Sequence, residues 1–326
     1  MACSPAARSR TCKRSSRPCA KESPRLRDAK TGVLCMAYGS PDGDEGIEPY
    51  YTHIRGGKTP SPEAVAELRE RYHAIGGSPL TEITRAQARA LAGRLGLPVF
   101  AGMKHAPPFI ADAAAEALSA GIERLVGLPL APHYAEMSVG TYLSTLRQAW
   151  DQELIVVRGF HDQPAFIAAT RTLLAEAMAD FEPERIFFTA HSLPARIETA
   201  GDPYRERLLE SCRLVAEGTA LPEWEFAFQS ASHTGEPWLG PDLLESLRRS
   251  GVRRALVCPI GFVADHLEIL YDIDVEAMAF AGERGIELRR TQSFNTRPEF
   301  IEALAAVVRD ALKSPSPARG AGIMSM

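Results

Sequence analysis

Along nearly the whole chain, short apolar runs alternate with longer stretches of helical periodicity. The runs at 32–37, 98–103, 123–130, 154–157, 185–190, 225–228, 254–259 and 286–289 are short and rich in Val, Leu, Ile and Phe, which predicts buried strands. Helical patterns occupy 62–72, 81–93, 110–120, 141–150, 165–179, 203–217, 241–249, 266–281 and 298–312. Several open on a capping residue or an early proline, as in Ser61-Pro62, Asp202-Pro203 and Arg297-Pro298. This alternation predicts parallel sheets with right-handed crossovers, an α/β fold.

A faint internal repeat refines that picture. Ala37-Tyr38-Gly39-Ser40-Pro41 and Ala190-His191-Ser192-Leu193-Pro194 lie 153 residues apart, each after a predicted strand. The spacing suggests two similar α/β halves joined near 150–165. Ligands of open α/β sheets bind beyond the carboxyl ends of the strands, so Tyr38 and His191 are both aimed at such an edge.

Composition narrows the class. The chain has 326 residues, 45% apolar and 24% charged, which is an ordinary globular balance. No apolar run approaches the roughly 20 residues of a membrane span. The net charge of −4 divides unevenly: residues 1–30 carry nine Lys/Arg and two acids, and the other 296 residues carry −11. So acidic a body argues against nucleic-acid binding. The basic tail lacks apolar periodicity and is expected to be disordered, an upstream translation-start artefact or a functionless extension. Cys35, Cys212 and Cys258 are isolated and no CxxC pair occurs, which fits neither a disulfide framework nor a zinc site. A reducing, cytoplasmic setting is expected.

The densest chemistry is Asp265-His266-Leu267-Glu268-Ile269-Leu270-Tyr271-Asp272-Ile273-Asp274-Val275-Glu276, which holds five carboxylates and no Lys or Arg. On a helix, Glu268, Asp272 and Glu276 form one line, beside an apolar stripe of Ile269, Ile273, Ala277 and Phe280. Such a line suits the passage of a hard divalent cation, and equally suits a solvated acidic face. Spacing alone does not choose between them. Of the eight histidines, none stands in an HExxH pattern, and GxGxxG, GxxxxGK[ST] and GxSxG are absent.

Taken together, the segments resemble the ferrochelatase family. In the first half they are Met36-Ala37-Tyr38-Gly39-Ser40-Pro41, Tyr50-Tyr51-Thr52-His53-Ile54-Arg55, Arg71-Tyr72-His73-Ala74-Ile75-Gly76-Gly77-Ser78-Pro79-Leu80, Gly102-Met103-Lys104-His105 and Ala131-Pro132-His133-Tyr134. In the second they are Thr189-Ala190-His191-Ser192-Leu193-Pro194, Gly201-Asp202-Pro203-Tyr204, Gln229-Ser230-Ala231, Glu236-Pro237-Trp238-Leu239-Gly240-Pro241-Asp242 and Asp265-His266-Leu267-Glu268. The resemblance runs from about 32 to 312 in the family's order. Gly56 stands where many members have a second basic residue after Arg55, and the Gly76-Gly77-Ser78 run is one residue short.

The resemblance implies two Rossmann-like, chelatase-like domains with a cleft between them: 31–150, completed by a C-terminal helix at 297–312, and 151–296, with tails at 1–30 and 313–326. It implies insertion of Fe2+ into a porphyrin in haem biosynthesis, with release of two protons. His191 would be the base and Glu268 its partner. His191, Glu268, Asp272 and Glu276 would meet the metal. Tyr38 would lie on the opposite porphyrin face, with Arg55, Arg71, Tyr72, Ser78 and Tyr142 contacting propionates or lining the pocket. Fe2+ is then a substrate and no cofactor is permanently bound. With no cysteine after Cys258, no iron–sulfur cluster is expected. The implied partners are the porphyrin and neighbouring haem-pathway enzymes, and a monomer is expected. The polar stretch 48–58 favours coproporphyrin III, with four propionates, over protoporphyrin IX. A cobalt or nickel chelatase keeps the same fold, and a non-catalytic haem-binding protein needs Tyr38 but neither His191 nor Glu268.

Overall fold

The computed structural model describes residues 29–232 and 235–313. β1 (Thr31–Ala37), β2 (Val99–Met103), β3 (Arg124–Pro129) and β4 (Glu153–Val156) form a parallel sheet of order β2-β1-β3-β4. β5 (Arg185–His191), β6 (Glu223–Gln229), β7 (Arg254–Cys258) and β8 (Glu287–Arg290) form a second, of order β6-β5-β7-β8. The two halves thus repeat one topology, with β1 and β5 in the same inner position. Both sheets are covered on both faces, so their inner strands carry apolar side chains without alternation. Val33, Leu34, Cys35 and Met36 are all fully buried, as are Ile186, Phe187 and Phe188.

One apolar cluster runs through both halves, joining Val33 and Val126 to Phe166, Phe188 and Phe300. It is bridged by α12 (Pro298–Lys313), which returns to the first half and packs on α3 (Leu80–Leu95), α6 (Pro164–Met178) and β3. The other face of the first sheet is covered by α4 (Ile110–Ser119) and α5 (Thr141–Ala149). In the second half the short α7 (Arg196–Thr199) follows β5, α8 (Tyr204–Ala216) packs on α6, and α9 (Leu243–Ser250) on β6. α9 shows the local logic: the Asp242 carboxylate accepts from the N–H groups of Leu244 (2.9 Å) and Glu245 (3.2 Å), and Gly251 closes the helix at φ 67°.

Three expectations need correction. A domain boundary at 150 falls one strand early, because β4 pairs with β3 from Arg124↔Glu153 to Gly127↔Val156 and so belongs to the first sheet. The helix expected over 266–281 is broken into α10 (Leu267–Leu270), a π-helical turn (Asp272–Ala277) and α11 (Met278–Gly282). The polar stretch 48–58 is not simply a polar mouth. It contains α1 (Ile47–Ile54), which together with α2 (Pro62–Ala74) makes a small apolar cluster of Ile47, Val65 and Tyr72 against Leu267 of the second half. The expected tails lie outside the described residues apart from 29, 30 and 313. No described helix is long and apolar enough to cross a membrane.

Candidate active site

His191 is the last residue of β5, and Glu268 enters on α10, just beyond the loop that follows β7. Their strands are neighbours, so the two side chains meet at one sheet edge. His191 Nδ1 lies 3.0 Å from Glu268 Oε2, and each side chain is 30% exposed. At that separation a protonated His191 and the Glu268 carboxylate form a close ion pair. Burial alone would lower the His191 pKa, but the negative charges of Glu268 and Asp272 outweigh it and raise it. Burial would likewise raise the Glu268 pKa, but His191, helped by His266, holds it well below the usual carboxylate range. His266 Nε2 is 3.7 Å from Glu268 Oε2 while its Nδ1 bonds the Ala264 carbonyl at 2.9 Å. The sequence reading passed over His266, whose signal was its place two residues before Glu268.

The acidic line is real but not uncompensated. Asp272, 6% exposed, is held by the Arg71 guanidinium from α2 and by the Ser230 hydroxyl. Burial pushes its pKa up to about 6, Ser230 and Arg71 pulling the other way. Asp274 takes a bidentate pair with Arg290, at 2.6 and 2.8 Å. Both arginines are remote in sequence. Glu276 is exposed, so the line climbs from the cleft through buried Asp272 to the surface. Of the predicted stripe, Ile269, Ile273 and Ala277 are fully buried, and Phe280 is half-buried against them. Among the described residues no three His, Cys, Asp or Glu side chains are gathered closely enough to hold a metal ion together.

The first half supplies the facing wall. Tyr38 follows β1 and is 38% exposed, its ring 4.5 Å from that of His105. His105 Nδ1 is 2.8 Å from His53 Nδ1, and burial with the charges of Lys104 and His53 lowers the His105 pKa to about 3. His105 therefore stays neutral and buttresses Tyr38. Burial chiefly raises the hydroxyl pKa values of Tyr38, Tyr72 and Tyr142, and the Glu268 charge adds to each, so all three hydroxyls lie within its electrostatic reach. Lys104 reaches over the Tyr142 ring at 6.0 Å, its pKa lowered by burial, with no carboxylate partner among the described residues. Ser78 precedes α3 and its hydroxyl accepts weakly from Leu80 N–H at 3.4 Å. Arg55 caps α1, exposed, 5.7 Å over the Tyr51 ring. Arg71, expected beside a porphyrin carboxylate, is committed to Asp272 and to the Tyr271 ring at 4.6 Å. A cavity of ≈ 670 Å³ beside α1, lined by Asp44, Glu45, Glu48 and His53, includes none of His191, Glu268 and Asp272.

This geometry coincides with similarity over the whole body. The ferrochelatase family profile matches residues 30–312. The chain belongs to the ferrochelatase family. It is 41% identical over 300 residues to the ferrochelatase of Herpetosiphon aurantiacus, covering 86% of this chain and 98% of that one. It is 40% identical over 300 residues to the coproporphyrin III ferrochelatase of Bacillus subtilis, covering 86% and 97%. Among solved structures, SirB from Bacillus subtilis with Fe3+ shares the fold with a TM-score of 0.55 at 11% identity, covering 87% of this chain and 96% of that one. CbiX, described as the terminal enzyme of siroheme biosynthesis in denitrifying bacteria, gives 0.56 at 14%, covering 86% and 100%. As a ferrochelatase-family member the chain is a metal-inserting lyase acting on a porphyrin and Fe2+.

Proposed function

We propose that this ferrochelatase inserts Fe2+ into coproporphyrin III. The observation that carries the chemistry is the His191–Glu268 pair at the edge of the second sheet, facing Tyr38 across the cleft. Metal insertion must remove two protons from pyrrole nitrogens. A neutral His191 accepts a proton at its imidazole, and the Glu268 carboxylate 3.0 Å away stabilises the imidazolium that forms. Asp272 and Glu276 lead from that pair to solvent, a path by which Fe2+ arrives or protons leave. Tyr38 offers its oxygen from the other porphyrin face.

Four propionates ask for cations and hydroxyls at the cleft wall. Lys104 is a partly buried cation without a carboxylate partner among the described residues, an arrangement that a substrate carboxylate would relieve. Arg55, Ser78, Tyr72 and Tyr142 complete the set. The Bacillus subtilis relative is named for coproporphyrin III, and His53 and Lys58, which flank Arg55, are exposed and polar. The enzyme works in the cytoplasm as a monomer with no resident cofactor. Anaerobic initial rates with Fe2+ test this, comparing coproporphyrin III with protoporphyrin IX in detergent-free buffer. A higher kcat/KM for coproporphyrin III is expected. Equal or reversed preference would remove the substrate while leaving the family in place.

A further inference from the structure

Between the end of β7 at Cys258 and the start of α10 at Leu267 the chain has no regular secondary structure. Where Glu268 stands relative to His191 therefore depends on how that segment is pinned. One pin lies near its beginning: Gly261 N–H donates to the Thr189 carbonyl on β5 at 3.0 Å. The other lies at Asp265, three residues before Glu268. Asp265 N–H donates to Asn295 Oδ1 at 2.9 Å, and Asn295 Nδ2 donates back to Asp265 Oδ2 at 2.8 Å. The second carboxylate oxygen accepts from the Ser293 hydroxyl at 2.6 Å and sits 3.4 Å from Arg290.

Asn295 is itself held in an unusual state. Its φ is +47°, a left-handed conformation that asparagine tolerates better than most residues. Its N–H donates to the Val263 carbonyl at 3.1 Å. Its own carbonyl accepts at 2.8 Å from the side chain of Gln87, a fully buried residue of α3 that also reaches Val263 O at 3.3 Å. A residue of the first half thus anchors the loop that carries the acid of the second.

We propose that Asp265 and Asn295 are positioning residues for metal insertion, their reciprocal hydrogen bonds fixing the 263–268 segment so that Glu268 stays in register with His191. Neither side chain touches the reacting atoms. The proposal rests on the metal-insertion activity of the family and not on which porphyrin is preferred, so the assay uses whichever porphyrin the wild type metallates.

The test compares Asn295→Gly, Asp265→Asn, Asn295→Asp and the double variant D265N/N295D. Glycine keeps the left-handed backbone and removes only the side-chain bonds. Asn295→Asp sets two carboxylates against one another, whereas Asp265→Asn keeps an oxygen that accepts from Asn295 and removes the charge held by Ser293 and Arg290. The double variant restores one donor and one acceptor on opposite partners. Thermal melts and porphyrin absorbance titrations accompany kcat and KM at saturating Fe2+. Since a misplacement of about 1 Å can cost ~10²-fold, Asn295→Gly and Asn295→Asp are expected to lose ~10- to 100-fold in kcat, and Asp265→Asn less. Their porphyrin affinity and cooperative melts should persist, and the double variant should recover most of the loss. Unchanged kcat in Asn295→Gly and Asn295→Asp overturns the proposal. So does a kcat loss that merely tracks folded fraction or porphyrin binding, or one that the double variant fails to rescue.

Discussion

Two carboxylates four residues apart are driven in opposite directions. Burial opposes ionisation at both, yet Glu268 stays ionised because His191 and His266 stand beside it, whereas Asp272 rises to about 6 despite Arg71 and Ser230. Residue type and spacing were legible in the sequence, including the line Glu268–Asp272–Glu276 and the stripe beside it. What that reading missed is the compensation. Arg71 lies 201 residues before Asp272, and no local pattern links them. The contacts of Lys104 were hidden for the same reason. At this scale the substrate grips are testable. Arg55→Ala and Lys104→Met should each weaken coproporphyrin binding by roughly 1.5–3 kcal/mol if a charge-assisted bond is lost. An absorbance titration reads this directly. Affinities unchanged in both would remove these residues from the carboxylate grip.

The elements were predicted more fully than their details. Every strand appeared because short apolar runs bounded by helical periodicity have few other readings. α1 was missed because it is only eight residues long and carries Pro49 at its third position, too little for a helical period to show. The π-helical turn was invisible, since an i→i+5 hydrogen bond leaves nearly the same apolar spacing as an α-helix. Here Glu276 N–H reaches Tyr271 O at 2.9 Å. A second such turn, Glu136–Gly140, follows β3 as this one follows β7, so the repeated topology extends to its irregularities. The contact between β5 and the β7 loop depends on a missing side chain. A Cβ at Gly261 would lie 2.4 Å from Ala190 Cβ, one residue from His191. Gly261→Ala must push the loop off the strand. We expect a stability loss of about 1–3 kcal/mol, measured by urea unfolding, and a fall in kcat larger than the change in porphyrin affinity. A fully active variant of native stability would show that the loop does not depend on this contact.

At the scale of the whole molecule, the halves are joined by polar pegs as well as by the shared core. His133, from the loop after β3, is 2% exposed and its Nε2 lies 2.8 Å from the Ser211 hydroxyl on α8. Burial, with the charges of His161 and Arg207, holds its pKa well below the ordinary value of 6.5. The unfolded chain protonates this imidazole near that value while the folded chain does not. Its contribution is thus complete above about pH 6.5 and is lost as pH falls, because the unfolded state then binds more protons. The slope approaches ~1.4 kcal/mol per pH unit for one such group. His133→Asn should therefore flatten the fall in melting temperature between pH 6.5 and pH 5. Parallel curves for the two proteins would show that His133 titrates alike folded and unfolded.

The division of labour within the cleft is the claim on which the rest depends, and initial rates against Fe2+ concentration test it most directly. Wild type, His191→Ala, Asp272→Asn and Glu276→Gln are compared anaerobically, with porphyrin binding checked by absorbance. General acid–base assistance is typically worth ~10²–10⁴-fold. His191→Ala should lose at least that much at every Fe2+ concentration while porphyrin still binds. The two amide variants should need more Fe2+ and keep much of the saturated rate. Near-normal turnover by His191→Ala would contradict the base assignment, and amide variants that lost saturated rate at an unchanged Fe2+ requirement would contradict the delivery path.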